Sequence, residues 1–168
     1  MNQTEFFADQ LERESAISRR VLERVPQGRP DWKPHEKSMA LGYLAQLVAT
    51  MPAWITMTIL QDELDLRPPS GPGYKPPATD TAAQLMGAHD DSVAKGLEAL
   101  RKTTDAHLAT LWKLLVGGRV VMELPRYKMI ADTLTHLAHH RGQLTVYLRL
   151  SGASVPSIYG PSADEGQF

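Results

Sequence analysis

The stretch from about Arg126 to Leu150 constrains the fold most, because its apolar residues have the spacing of one long α-helix. These residues recur at three- and four-residue intervals and share one face: Ile130, Leu134, Leu137, Leu144 and Leu148. The pattern ends at Ser151 and Gly152, and glycine is the residue most suited to the position just past a helix end. A chain with such a segment must bury this apolar face against other elements.

Three further segments have helical patterns, at about 4–25, 38–65 and 81–102. Proline and glycine interrupt the chain between them at 26–30 and 66–78. Ser38 is a suitable N-cap for the second helix, and Thr79 or Asp80 for the third. Pro52 lies inside the second pattern, and we expect it to kink that helix rather than to end it.

Residues 104–125 are less regular than the helical segments. Leu108, Leu111 and Trp112 predict a short helix, and Gly117-Gly118 predicts a turn before an extended piece over 120–122. Four long helical segments without a clear set of strands predict an all-α fold, an antiparallel helix bundle. The 168 residues are the usual size of one domain, so we expect a single domain over 1–168.

Composition excludes several classes of function. Eighteen Lys and Arg against nineteen Asp and Glu give a net charge of −1, which argues against a nucleic-acid binder and against a polybasic membrane-surface protein. There is no cysteine, and therefore no disulfide and no thiolate ligand. The polar N-terminus lacks the features of a secretory signal, and the apolar stretches are broken well short of the roughly 18 residues that span a bilayer. We expect a cytoplasmic protein.

The last helical segment carries the residues that are most able to bind a metal ion. His136 and His140 are four residues apart, so both imidazoles lie on one face of the helix and can reach the same divalent ion. Gln143 and Tyr147 continue this polar stripe, whereas His139 lies away from the leucine face. Imidazole suits Zn, Ni, Cu or Fe better than Mg or Ca. The other interpretation is that the pair bonds only to neighbouring helices or water.

Three separated motifs resemble those of the DinB/YfiT-like family. They are HLAHHRGQL at 136–144 followed by YLR at 147–149, WKPHEKSM at 32–39 followed by LG at 41–42, and VPSIYGPSADE at 155–165. The motifs occur in the family's order, and the resemblance spans essentially the whole chain.

This resemblance implies a four-helix bundle with up-down-down-up connectivity, which is often a homodimer. It also implies a divalent metal held by three histidines, one from the second helix and two from the last. The last-helix pair falls on His136 and His140, but the second-helix position falls on Leu47, which cannot bind a metal. The loss of one ligand of three predicts a weakened or absent site.

His89 is a candidate third ligand, since it lies on the apolar face of the third helix. The alternative is a buried neutral histidine that bonds to a backbone carbonyl or lies near Asp90. His35, Gln46 and Asp132 are weaker candidates.

Two functions follow from these patterns. The first is a metal-dependent enzyme of the hydrolase or thiol-dependent transferase class that the resemblance implies, with Zn or Ni held by His136, His140 and the candidate third ligand His89. The second is a non-catalytic bundle that has lost its metal and acts as a ligand-binding or interaction protein.

Overall fold

The computed structural model describes residues 2–166, which form six helices and three short strands. The helices are α1 (Gln3–Leu22), α2 (Leu41–Thr50), α3 (Ala53–Leu60), α4 (Ala82–Lys102), α5 (Asp105–Leu108) and α6 (Arg126–Leu150). The strands are β1 (Glu63–Asp65), β2 (Leu111–Val116) and β3 (Arg119–Pro125). The long helix α4 packs against α1, α2 and α3, and α6 packs against the same three on another side.

Two of the long helices begin at capping boxes. The Asn2 side chain accepts a hydrogen bond from the Glu5 backbone N–H, and the Glu5 carboxylate accepts one from the Asn2 N–H. Thr81 and Gln84 form the same arrangement at the start of α4. The cap of α4 is therefore Thr81 rather than the predicted Thr79 or Asp80.

The predicted second helix is divided at Pro52. The helices α2 and α3 meet at a break over residues 51–52 with a bend of 47°. Proline lacks the N–H that would continue the α2 ladder, and it begins a new helix more readily than it continues one. Pro52 therefore separates two helices, and the expectation that it only kinks one continuous helix is wrong.

The helix α2 also begins later than its sequence predicts. Ala40 occupies the N-cap and makes no side-chain cap bond, so the prediction that Ser38 caps this helix is wrong. The N–H of Leu41 donates instead to the Trp32 carbonyl at 2.9 Å, and the preceding loop thus provides the acceptor.

A small mixed sheet corrects the all-α prediction. Its order is β1-β2-β3, with β1 parallel to β2 and β2 antiparallel to β3. Leu111 and Trp112, which were predicted in a short helix, belong to β2. The predicted turn at Gly117-Gly118 is confirmed, and both glycines have positive φ, at 62° and 77°. The Asp65 carboxylate accepts hydrogen bonds from both glycine N–H groups and so joins β1 to this turn.

The core lies between the helices in two clusters. One cluster surrounds α2 and the second half of α6, and the other lies among α1, α3, α4 and the first half of α6. Gly96 allows α4 to pack closely against Leu11 of α1 and against the break at Pro52. A Cβ at this position would lie 3.0 Å from the Leu11 side chain and 3.3 Å from the Pro52 carbonyl oxygen. The sheet covers one end of the helices and contacts α6 through β2 and β3.

Within residues 2–166, no single helix is both long enough and apolar enough to cross a membrane. Only α2 and α3 taken together meet the length and composition requirement, and they are separated by the 47° bend.

Candidate functional site

The helix α6 brings the two predicted histidines into direct contact. The Nε2 atoms of His136 and His140 are 2.8 Å apart, and their ring centroids are 4.5 Å apart. His140 is 8% exposed and lies against the core, whereas His136 is nearer the surface. Two nitrogens at this separation can both lie about 2.0–2.1 Å from one ion.

A hydrogen bond to Gln143 fixes the orientation of the inner ring. The distance from His140 Nδ1 to Gln143 Oε1 is 2.7 Å. An amide oxygen can only accept, so His140 Nδ1 donates, and the lone pair of the neutral ring is on Nε2, whose partner in the structure is His136 Nε2. That lone pair faces the cavity beside His136. A hydrogen bond on the far nitrogen is the usual way in which a metal-binding histidine is held.

The local environment favours the neutral form of the outer ring, His136. Burial lowers the pKa of His136 below its ordinary value, and the neighbouring rings of His140 and His139 lower it further. A neutral imidazole is the form that binds a metal ion. The edge of the Trp54 ring also packs against His136, with centroids 5.6 Å apart, which restricts the ring further.

Two adjoining cavities open beside the histidine pair. The first, called here the histidine chamber, has a volume of about 470 Å³. Its walls are Met39, Tyr43, Gln46, Leu47, Thr50, Trp54, Leu66, Tyr74, Pro76, His136 and His140. The second, called the aromatic chamber, has a volume of about 340 Å³. Its walls are Trp54, Met57, Thr58, Leu64, Leu66, Tyr74, Trp112, Leu114, Met122, Met129, Asp132, Thr133 and His136.

Leu47 lies where the resemblance places the missing ligand, in the wall of the histidine chamber with both imidazoles. Its neighbour Gln46, a weaker candidate, also lines this chamber, and its side-chain NH2 donates to the Pro77 carbonyl at 2.9 Å. Among residues 2–166, no three His, Cys, Asp or Glu side chains lie close enough together to hold a metal ion. The site therefore offers two protein ligands of the three that the resemblance implies.

His89 does not join this pair. The helix α4 places it beside α1, where its Nδ1 lies 3.2 Å from the Asp90 carboxylate and the Ser15 backbone is nearby. The helical pattern identified the buried face of α4 correctly, and α1 is the neighbour that this part of the face meets. Its surroundings are those of the alternative interpretation, a buried histidine near Asp90.

The weaker ligand candidates also lie apart. His35 Nδ1 accepts a hydrogen bond from the Lys37 N–H at 3.1 Å in the loop before α2. Asp132 lies one turn before His136 and faces the aromatic chamber. Tyr147, at the end of the polar stripe, donates its hydroxyl to the Met39 carbonyl at 3.0 Å. Of the polar stripe, only Gln143 contacts the histidine pair.

Sequence reasoning missed most of the chamber walls. Trp54 and Tyr74 line both chambers, and Trp112 lines the aromatic chamber from β2. Tyr74 lies in the proline-rich loop, and burial raises its pKa, although the neighbouring Trp54 and Thr50 act in the opposite direction. An aromatic residue within a run of proline and glycine was the only signal in the sequence for this contact.

A second polar cluster on α6 was also missed. The Arg141 guanidinium donates to the Glu14 carbonyl at 2.9 Å, to Ser18 Oγ at 3.1 Å and to the Glu14 carboxylate. It also contacts the Tyr159 hydroxyl, which donates to Glu14 at 2.7 Å. Arg141 and Glu14 are 1% and 6% exposed. This cluster ties α6, α1 and the C-terminal tail together.

Comparison with known proteins finds similarity in the last part of the sequence and in the fold. A family model described as "DinB family" matches residues 119–167. The chain is 42% identical over 43 residues to the protein YrdA of Bacillus subtilis, a match that spans 26% of each protein.

Two solved structures are similar to this fold. A DinB-like protein from Bacillus cereus superposes with a TM-score of 0.70 at 22% identity, over 92% of this chain and 97% of that one. The DinB-like protein YjoA from Bacillus subtilis superposes with a TM-score of 0.69 at 17% identity, over 91% and 96% of the two chains.

Proposed function

We infer that this chain, which is a DinB-like protein by its fold and by the sequence of its last third, is a metal-dependent enzyme. His136 and His140 would hold a divalent ion, Zn or Ni, at the wall of the histidine chamber. The reaction belongs to the hydrolase or thiol-dependent transferase class.

The observation that carries this proposal is the approach of the two Nε2 atoms to 2.8 Å beside an open chamber. A hydrogen bond between the rings uses one lone pair and one proton, and it leaves no further partner for either Nε2. A divalent ion between them would use both lone pairs at once. The bond from His140 to Gln143 supports this role, because it holds the ring in the tautomer that binds metal.

Leu47 shapes the proposed centre. With an apolar side chain at the third position, the ion would have two protein ligands and several positions left for water, substrate or a thiol. A bound Zn or Ni supplies a Lewis acid that lowers the pKa of a coordinated water or thiol. The chain's own contribution is to hold two imidazoles in place and to line the space beside them with apolar side chains.

The remaining expectations belong to this proposal. If α2 and α3 count as one bent helix, then α1, α2–α3, α4 and α6 make the antiparallel four-helix bundle, up-down-down-up, that the family resemblance implies. The homodimer and the cytoplasmic location expected from the sequence are likewise proposals.

Metal analysis of untagged protein tests the proposed centre. After incubation with Ni²⁺ or Zn²⁺ and gel filtration, we expect retained metal that is lost in His136→Ala and in His140→Ala. The matched control is His139→Ala, which removes a neighbouring imidazole that is not part of the pair and should keep the metal. Leu47→His should tighten binding by at least about tenfold, since it restores a third ligand.

The opposite result favours the alternative function. A wild-type protein that retains no metal, and that gains it only in Leu47→His, would overturn the enzyme proposal. The alternative is then a DinB-like bundle that has lost its metal and binds a ligand or a partner. The presence of Leu47 in the chamber wall is the observation that favours this alternative.

A further inference from the structure

We propose that the aromatic chamber binds a small organic cation, an aryl- or alkyl-ammonium compound, with its apolar body inside the chamber and its charged head at Asp132. This deepens the proposed function, because the two chambers adjoin and this one would hold the substrate beside the histidine pair.

The walls of the aromatic chamber fit an apolar body. Three aromatic side chains from three different elements surround it: Trp54 of α3, Tyr74 of the proline-rich loop and Trp112 of β2. Three methionines and three leucines complete most of the remaining wall. Methionine adapts its shape to a ligand and contacts aromatic rings favourably.

The charge of the side chains that line the chamber favours a positively charged ligand. Asp132 is the one side chain of fixed charge among the described residues that line the chamber, and no lysine or arginine lies among them. Within residues 2–166, the Asp132 carboxylate makes no ion pair with this chain's cations at 4.0 Å or less. Asp132 both lines the chamber and is exposed to solvent.

Aromatic faces add to this preference. The faces of tryptophan and tyrosine attract ammonium groups by about 0.5–2 kcal/mol, depending on how far the cation is desolvated. A carboxylate ligand would meet the Asp132 charge and find no basic partner in the walls. The chamber is thus suited to cations, less so to neutral molecules of the same shape, and least to anions.

The volume limits the size of the ligand. About 340 Å³ corresponds to roughly eleven water-sized volumes of about 30 Å³ each. The chamber therefore accepts a body of about ten non-hydrogen atoms, such as one aromatic ring with a short alkyl arm. Larger molecules would extend into the histidine chamber, with which it shares Trp54, Leu66, Tyr74 and His136.

Three probes of matched shape test the proposal: 2-phenylethylammonium, 2-phenylethanol and 3-phenylpropionate. They are titrated into the full chain after treatment with a chelator, and the three tryptophan indole N–H signals are followed by NMR. We expect the ammonium compound to shift the signals of Trp54 and Trp112. Trp32 packs against Tyr147 and does not line the chamber, so its signal is the internal control.

The expected order of affinity is ammonium above alcohol above carboxylate. The ammonium compound should bind about three- to tenfold more tightly than the alcohol. Asp132→Asn should reduce this ratio by about two- to fivefold while leaving the alcohol affinity unchanged. Asp31→Asn, which removes an exposed carboxylate that is not among the residues lining the chamber, should leave the whole order as it is.

Several results would overturn the proposal: equal affinity for the three probes, tightest binding of the carboxylate, or a ratio that Asp132→Asn does not change. Because no metal is present in this experiment, its outcome is separate from the metal analysis. If the probes bind in the expected order of affinity but the protein retains no metal, only the proposed metal centre is refuted. If the protein retains metal but the probes do not bind in that order, only the cation site is refuted.

Discussion

His140 and Arg141 are neighbours on α6, yet they serve two different polar clusters. Arg141 points toward α1, where its guanidinium donates to Glu14 and Ser18 and contacts Tyr159. His140 points into the histidine chamber, where Gln143 holds one ring nitrogen and the other faces only His136. One cluster is saturated with partners from its own chain, and the other is not.

This difference separates a structural cluster from a candidate site. A buried charge is stable only when it is paired and hydrogen-bonded, and Arg141 meets both conditions within the fold. In the histidine pair, by contrast, the partner of each Nε2 is the other ring, and an open chamber lies in front of them. Both clusters contain buried polar side chains, so burial alone does not distinguish them. Binding capacity on α6 therefore depends on which partners each polar side chain already has within the fold.

The largest expected effect is on the saturated cluster. Arg141→Met leaves the Glu14 carboxylate buried without its cation, and we expect a loss of about 3–5 kcal/mol in the free energy of unfolding. His136→Ala, on the exposed ring of the pair, should change it by less than about 1 kcal/mol. Urea denaturation of both variants measures the contrast. Equal losses would show that the two clusters do not differ in the way described.

A double variant sharpens this comparison. Glu14→Gln combined with Arg141→Met removes both charges, so the combined loss should be smaller than the sum of the two single losses. Strict additivity would contradict the direct pairing of Arg141 with Glu14.

His89 shares features with both clusters. It is buried, at 2% exposed, as Arg141 is, but its Nε2 has no hydrogen-bond partner among the described residues. Burial lowers the pKa of His89, although Asp90 beside it acts in the opposite direction. Below the ordinary histidine value of about 6.5, the unfolded chain then binds more protons than the folded one. The wild-type free energy of unfolding should therefore be highest above pH 6.5 and fall as the pH drops below that value.

His89→Leu should flatten this fall between pH 7 and pH 5, and urea titrations at each pH measure it. His35→Leu, a change at an exposed loop histidine, is the matched control and should keep the wild-type slope. If the His89→Leu slope equals that of the wild type, then His89 is not the residue that titrates.

The smallest expected effect concerns the tail. The Arg24 guanidinium and the Ser157 N–H lower the pKa of Glu165 to about 2. Stabilisation from this lowered pKa is present above the ordinary glutamate value and is lost as the pH falls toward 2. Glu165→Gln should therefore be slightly less stable than the wild type near neutral pH, and the difference should disappear at low pH. Carbon NMR of the Glu165 carboxyl reads the pKa directly, and Arg24→Gln should raise it.

The sequence predicted the parts of the site that depend on local spacing. His136, His140 and Gln143 share one helix, so the helical repeat alone places them together. The same reasoning placed His89 on the buried face of α4, but a helical repeat does not tell which neighbour that face meets. Arg141 and Glu14 are 127 positions apart, and no local pattern relates them.

The sheet was missed for a similar reason. The strand β1 has three residues and pairs with β2 across about fifty positions of chain, so it has no periodicity of its own. The pattern at Leu111 and Trp112 was read as a short helix because short apolar runs do not distinguish helix from strand. The strands provide four of the thirteen residues that line the aromatic chamber, namely Leu64, Trp112, Leu114 and Met122. The sequence therefore predicted the histidines but not this part of the space in front of them.

The shared walls of the two chambers have a thermodynamic consequence. Trp54, Leu66, Tyr74 and His136 face both spaces, so an occupant of one rests on side chains that the other also uses. If filling one space changes the affinity of the other by some factor, the reverse effect must have the same size. Binding of an ion would then change the measured affinity for an organic ligand, and binding of the organic ligand would change the affinity for the ion by the same factor.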